Sequence, residues 1–560
     1  MYCFQRPKQH TATLIPLIFF LLIFFITGCS EKKEEIIFNK EELFSQALHE
    51  SRIPVQPGVP GKYPFWNINA TRFIYAPAFD FPELKRSDYY RFVIVSEVDS
   101  SVFSFSAGHP WLPLSPVWEN LHTGYVTLVV EGVDTDSHIT GIAGKRKFYR
   151  AAVFHGPYHK PVVSYTESAR NGLDFLFHTS WLQHWLTDGT PDPSYGLYCY
   201  PSKMITAVIN GMILYSEMVP ANRKDALLIA CNAADYLIGK SEPAASLLAY
   251  FPPTYDSLHI RPDIKYDEVD VPWARTMAVK NQGKIMLIYP AEVAEAYLNL
   301  YNKTKKKRYL DAACNIADTY ARIQDDAGYW PLLVDTRSGK NPVANHANAG
   351  GILSLFLRLR NEYHHNSWGE VIRKASVLWE EKMKNLDFEG QFEDQKPSER
   401  YMNLANGPAL EAARFYFDRV NEDSSNLAKA EKYLRFAEDQ FVVWEKPIPE
   451  ARPGYFTTNW FIFPCALEQY SCYSPIDAHA AAFISVFEKA WQITGKKIYL
   501  AKAISLANAM TIAQDKETGR YPTWWMKNRY DVPGWINCAV QDAAVMYNFG
   551  KTVSRIQIKY

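Results

Sequence analysis

From about residue 168 onward the chain reads as twelve apolar-periodic segments, and the connections between them constrain the fold more than any single motif. The segments run over 169–186, 203–219, 222–240, 284–302, 306–325, 343–361, 366–386, 403–419, 424–442, 475–494, 497–514 and 536–549. Short turns such as Val219-Pro220-Ala221, Asn302-Lys303-Thr304 and Ile493-Thr494-Gly495 join them in pairs. The alternate connections, 187–202, 241–283, 326–342, 387–402, 443–474 and 515–535, are long and aromatic. Antiparallel helices joined in series put alternate connections at opposite ends, so the six long ones share a rim. Structureless loops of this length in a compact domain are usually functional, which places the chemistry on that rim.

Within each pair the first helix is rich in small residues, as in Ala347-Asn348-Ala349-Gly350-Gly351 and Ala478-His479-Ala480-Ala481-Ala482, and suits a crowded inner ring. The second carries a charged face, as from Lys305 to Arg322, and suits a solvated outer ring. The segment Lys307-Arg308-Tyr309-Leu310-Asp311-Ala312-Ala313, followed by Gln324-Asp325 and Gly328-Tyr329-Trp330-Pro331, recurs as Lys497-Ile498-Tyr499-Leu500-Ala501-Lys502-Ala503 with Gln514-Asp515 and Gly519-Arg520-Tyr521-Pro522. Each unit alone leaves an apolar face uncovered, so units must stack. In this motif the chain resembles the six-hairpin glycosidase-like superfamily, the (α/α)6 toroids of unsaturated glucuronyl hydrolases, several polysaccharide lyases and sugar epimerases. The resemblance covers roughly 168–550 and implies a mainly α fold with an (α/α)6 toroid over 165–555; it speaks weakly to the reaction.

A chain of 560 residues exceeds one ordinary core, which leaves room for a second module. Residues 89–150 alternate in strand fashion, as in Tyr90-Arg91-Phe92-Val93-Ile94-Val95 and Tyr125-Val126-Thr127-Leu128-Val129-Val130. Gly124-Tyr125-Val126-Thr127-Leu128 before Gly132-Val133-Asp134 resembles a fibronectin-III-like β-sandwich, assigned to 61–160. The aromatic stretches Pro64-Phe65-Trp66-Asn67 and Phe73-Ile74-Tyr75 either dock this module on the toroid or bind sugar, with docking the commoner use.

At the N-terminus, Arg6 and Lys8 precede an apolar run from Leu14 to Phe25, too short to span a bilayer and like a signal-peptide core over 1–28. Ile26-Thr27-Gly28-Cys29 resembles a bacterial lipobox with Cys29 as the lipid anchor. The charged tether that follows, within 29–60, resembles the export signal of Bacteroidetes surface lipoproteins. The resemblance implies a lipid-anchored protein of the outer membrane or cell surface, or one facing the periplasm. The other cysteines show no metal-ligand spacing, so no metal and no cofactor are expected; Cys465 and Cys472 are a candidate disulfide. Sixty basic residues balance sixty acidic ones, which gives no reason to expect a nucleic-acid partner. Oligomeric state is open.

With 35 Tyr and 15 Trp the chain has the flat faces a carbohydrate site uses, although most such rings fill helix interfaces. Inner helices begin at the elaborated rim, so their positive dipole ends favour an anionic substrate there. Arg275, Arg400 and Arg452, in three different long connections, are candidates to clamp a carboxylate. Glu468 follows an aromatic run containing Trp460 and Phe463 and precedes Tyr470; desolvation there would fit it as a general acid. Ser474-Pro475-Ile476-Asp477 reads as a helix start that leaves Asp477 as a cap or a mouth base, and His479 follows as a core or catalytic imidazole. Asp267 and Glu268, with Asp270 beside Trp273, are a second acid cluster that could supply the second catalytic carboxylate or hold a calcium ion, although such a run is more often solvated loop. Tyr473, Trp524 and Trp525 join Trp460, Tyr470 and Trp273 as candidate sugar contacts. The function expected is a glycoside hydrolase acting by general acid/base catalysis on a uronic-acid-containing polysaccharide or oligosaccharide. A polysaccharide lyase with Tyr470, Tyr473 or His479 as base is the enzymatic rival, and a noncatalytic glycan-binding lipoprotein the other.

Overall fold

The computed structural model describes residues 34–559 apart from 62–64, 67–68, 260–270, 385–403, 449–459, 461, 471–472 and 527–533, together with the side chains of 34, 271–273 and 383–384. Twelve helices build the ring: α1 (Tyr165–Phe177), α2 (Pro201–Met218), α3 (Arg223–Lys240), α4 (Tyr289–Thr304), α5 (Lys307–Ile323), α6 (Ala349–Tyr363), α7 (Gly369–Lys384), α8 (Asn406–Phe417), α9 (Ser425–Phe441), α10 (Asp477–Thr494), α11 (Lys497–Ala513) and α12 (Ile536–Ser554). The even-numbered helices touch in the order α2, α4, α6, α8, α10, α12 and back to α2, a closed inner ring. Their outer partners are α3, α5, α7, α9, α11 and α1, so the sixth hairpin is made of the first and last toroid helices. This is the (α/α)6 architecture. The chain ends are also tied: Glu34–Ile37 pairs in parallel with Ile556–Lys559. No helix among the described residues is long and apolar enough to cross a membrane.

Three expected helices are shorter than their apolar pattern. The segment 169–186 divides into α1 and a separate helix, Ser180–Thr187. The start of 284–302 is a strand, Lys284–Met286, paired antiparallel with Leu333–Asp335 of the next long connection. The segment 343–361 begins as helix only at Ala349, where Asn348 caps it. In the second and third cases, pairing and capping at the rim replace a turn of helix.

The repeated motif is what stitches one hairpin to the next. Gln324 Nε2 donates to Gly328 O (3.3 Å) and to Val371 O on α7 (3.1 Å), the next outer helix. Gln514 Nε2 does the same one half-turn around the ring, to Gly519 O (2.7 Å) and Ser168 O on α1 (2.9 Å). Gly328 and Gly519 both have positive φ, +97° and +79°. A Cβ on either would sit 2.8 Å from a carbonyl oxygen, of Lys374 or of Asn171, so glycine is required twice over.

The N-terminal module is one five-stranded sheet, and among the described residues no second sheet faces it in the manner of a sandwich. Its strands are β1 (Arg72–Phe73), β2 (Tyr89–Ser96), β3 (Val102–Ala107), β4 (Gly124–Val133) and β5 (Ile139–Arg150), in the order β1-β5-β4-β2-β3. Only β1 runs parallel to its neighbour. Alternation buries Tyr90, Phe92 and Ile94 with Val126, Leu128 and Val130 on one face. The aromatic stretch before it docks rather than standing free: Trp66 stacks on Phe436 of α9 at 5.7 Å, and Tyr75 Oη donates to Glu438 (3.0 Å). Glu438 is also ion-paired with Lys502 at 2.7 Å, both side chains 2% exposed, and accepts from Trp444 Nε1 (3.0 Å).

Candidate active site

The six inner helices enclose a lumen of about 1530 Å³. On α2 its wall takes Lys203, Asn210 and Glu217, every seventh residue, a depth of about 21 Å at 1.5 Å per residue. All six inner helices start at the rim formed by the long connections, and their first turns carry the polar groups that converge there.

Two carboxyls face this space from α4 and α8, the inner helices on either side of α6. Glu292 lies in the first turn of α4 and Glu411 in the second turn of α8, and both line the lumen. Each is open to the lumen yet surrounded by protein, and burial pushes both up to about 7, Lys203 and Arg414 respectively pulling the other way. The Glu411 charge adds to the rise at Glu292. Asn348 fixes Glu411: its Oδ1 accepts from Gly350 N as the cap of α6 (3.1 Å), which turns Nδ2 to donate to Glu411 Oε2 (3.0 Å). A Cβ on Gly350 would lie 2.8 Å from that same oxygen, so the glycine makes room for the carboxyl. Lys203 stands over the Trp535 ring at 4.6 Å, also on the wall.

A third carboxyl, Glu468, comes from the connection before α10. His479, in the first turn of α10, holds Nε2 3.8 Å from Glu468 Oε1. The other ring nitrogen, Nδ1, is 3.0 Å from Asn406 Oδ1. Because Asn406 Nδ2 donates to Leu467 O (2.5 Å), its Oδ1 is the acceptor and His479 Nδ1 carries the hydrogen. In the neutral ring Nε2 is therefore a free base turned toward Glu468. Asn406, Glu468 and His479 all line the lumen. This arrangement can deliver a proton from a raised carboxyl and accept one at an imidazole–carboxylate pair.

Of the residues singled out from sequence, Glu468, His479 and Trp524 meet on the lumen wall. The others described are elsewhere. The helix expected to start from Ser474 starts only at Asp477, since Pro475 and Ile476 pair with Leu467 and Trp524. The Asp477 side chain, 1% exposed, is off the lumen wall and faces the equally buried Asp542 of α12; burial raises both carboxyls, Asp477 to about 7 and Asp542 well above its ordinary value, and the nearness of Asp477 adds to the rise at Asp542. Tyr470 and Tyr473 spend their hydroxyls on Gln440, at 2.6 Å each, which removes them as sugar contacts or lyase bases. Trp460 is 7% exposed and bridges Met526, and Trp525 is wholly buried, so both are packing residues. Arg275 lies on the helix Val271–Asn281 near Cys199, off the wall. Cys465 is a buried free thiol. Asp267, Glu268, Arg400, Arg452, Cys29 and the Trp273 side chain lie outside the described residues. Among the described residues no group of three or more His, Cys, Asp or Glu is placed to hold a metal ion.

Sequence reasoning passed over Glu292, Glu411, Asn348, Asn406 and Lys203. An acid in the first turn of a helix is ordinarily a partner of the dipole. The signal available was their position near the start of helices already assigned to the inner ring.

No family model matches the chain, and no curated protein does. Among solved structures it is similar to a family 76 glycoside hydrolase from a bovine Bacteroides thetaiotaomicron strain, at 8% identity over 85% of this chain and 95% of that one, with a TM-score of 0.43. It is also similar to the cellobiose 2-epimerase of Spirochaeta thermophila (13% identity, 70% and 98% covered, TM-score 0.46). A third likeness is to an unsaturated glucuronyl hydrolase specific for heparin (13% identity, 71% and 98% covered, TM-score 0.38).

Proposed function

We propose that this chain is a carbohydrate-active enzyme, a glycoside hydrolase whose reaction takes place in the lumen by general acid/base catalysis. The observation that carries it is the pair Glu292 and Glu411, both raised to about 7, on one wall with the Glu468–His479 pair. Glu411, anchored through one oxygen by Asn348, is the acid that protonates the leaving glycosidic oxygen. Glu468, backed by His479, is the base that takes a proton from water. Trp524 and Trp535 offer the flat faces on which a sugar ring stacks.

The substrate best matched to this wall is a neutral sugar. The described lining has six carboxyl side chains and four Lys or Arg; with Glu292 and Glu411 protonated, four carboxylates remain against four cations. The uronic-acid-containing glycan expected from sequence rested on the helix ends at the rim and on a clamp of Arg275, Arg400 and Arg452; Arg275 is off the wall, and the other two lie outside the described residues. Attachment to the membrane through lipidated Cys29 completes the proposal, and Cys29→Ser should release the protein to the soluble fraction with activity intact.

A second reading is favoured by the His479 tautomer, because a free Nε2 base is also what abstraction of a carbon-bound proton needs. A panel of neutral and uronate oligosaccharides, with products analysed by mass and by absorbance of a new double bond, separates the two. New reducing ends from neutral glycans without such absorbance support hydrolysis. An unsaturated product from uronates alone assigns the lumen to elimination.

A further inference from the structure

The base pair at the lumen is held from behind by the N-terminal module. Arg72 on β1, 3% exposed, donates from Nη1 to Asp439 O and Gln440 O (3.2 Å each) and from Nη2 to Val442 O (2.8 Å), which satisfies carbonyls at the C-terminal end of α9. Two and three residues on, the module continues the clamp, with Ile74 N and Tyr75 N donating to Asp439 Oδ1 at 2.6 and 2.8 Å. Gln440, fully buried, then joins both sides: its Nε2 donates to Asp439 Oδ2 (2.7 Å) and to Arg72 O (3.2 Å), while its Oε1 accepts from Tyr470 Oη (2.6 Å) and its backbone oxygen from Tyr473 Oη (2.6 Å).

Tyr470 lies two residues beyond Glu468 on the same connection. Around Glu468 the backbone is pinned by Leu467 N donating to Phe441 O (2.8 Å), Asn406 N to Glu468 O (3.1 Å) and Tyr470 N to Leu404 O (3.0 Å). The same short stretch includes Leu467 O, the acceptor that sets the Asn406 amide and through it the His479 tautomer. A buried amide with every polar atom engaged has one low-energy orientation, so whatever it holds is held rigidly.

We propose that Gln440 is a positioning residue: it transmits the docked N-terminal sheet to Tyr470 and thereby fixes Glu468 against His479. The proposal rests on the reading of Glu468–His479 as the base pair. It assigns to the N-terminal module a part in the chemistry while leaving it out of contact with substrate.

The test needs no identified substrate. In full-length protein labelled with ¹⁵N-histidine, the His479 ring signals are assigned by His479→Gln, and their titration is followed in wild type, Glu468→Gln, Tyr470→Phe and Gln440→Leu. Tyr470→Phe loses one hydroxyl and keeps the ring, so it serves if Gln440→Leu fails to fold. Glu468→Gln should lower the His479 midpoint by removing a neighbouring charge. Tyr470→Phe, and Gln440→Leu where folded, should move the midpoint in the same direction and populate both neutral tautomers, with an unchanged circular dichroism spectrum. A merely structural role would lower the unfolding temperature and leave the folded protein's titration in place, which overturns the proposal. A His479 titration unmoved by Glu468→Gln overturns instead the pairing on which it rests.

Discussion

Asn348 caps α6 with one atom of its amide and holds Glu411 with the other, its Nδ2 donating to Glu411 Oε2 at 3.0 Å. A helix start and a catalytic candidate thus share one side chain. The consequence is an unusual sign. Asn348 lowers the Glu411 pKa against the burial that raises it. Removing the amide by Asn348→Ala therefore raises the carboxyl further. If Glu411 must be protonated to act, wild-type activity declines as pH rises through about 7, and the Asn348→Ala alkaline limb lies at higher pH. The same substitution costs about 1 kcal/mol of cap stability. A pH–rate profile of the two proteins checks the shift, and a limb displaced to lower pH contradicts the role.

The Asp477–Asp542 pair should govern stability in the opposite window from ordinary surface acids. Both carboxyls are raised in the folded protein, Asp477 to about 7 and Asp542 well above its ordinary value. The unfolded chain releases these protons near the ordinary Asp value, so the stabilisation is complete below about 4 and is lost as pH rises toward and through 7. Asp542→Asn keeps a donor and removes one charge. Its unfolding temperature, measured from pH 5 to 9, should fall less steeply than that of wild type; parallel curves would mean that Asp542 is not raised in the folded protein.

Lys502 and Glu438 illustrate a buried ion pair whose value lies in its completeness. Lys502→Met leaves Glu438 buried with only the Tyr75 and Trp444 donors, an expected loss of about 3–5 kcal/mol. Denaturant midpoints of Lys502→Met and of the double variant with Glu438→Leu should show the second change recovering much of the first.

The ring was legible in the sequence because apolar period, small-residue inner helices and alternating connection lengths all point the same way. The Gln324 and Gln514 repeats were legible as repeats, but their job of crossing to the next outer helix depends on ring closure, which sequence spacing does not display. Strand alternation in 89–150 revealed a sheet but could not count layers, since one buried face looks alike whether a second sheet or α9 and the aromatic stretch cover it. In the site, Glu468 and His479 stood out through an aromatic neighbourhood and a helix start. Tyr470 and Tyr473 stood out for the same reason and were misassigned, because Gln440, their partner, is some 30 residues earlier and unremarkable in sequence. Glu292 and Glu411 escaped because a helical acid becomes chemically informative only once six helices bring it to a common lumen.

The central claim is that Glu411 and Glu468, on the wall of that lumen, are the acid and base of glycan hydrolysis. The most direct measurement is turnover of the best oligosaccharide by Glu411→Gln and Glu468→Gln, with folding verified. Each substitution should reduce turnover by about 10² or more. The Glu411→Gln loss should shrink for a substrate whose leaving group is already acidic, whereas the Glu468→Gln loss should not. Turnover within a few-fold of wild type in both variants, or losses in both that ignore the leaving group, would contradict it.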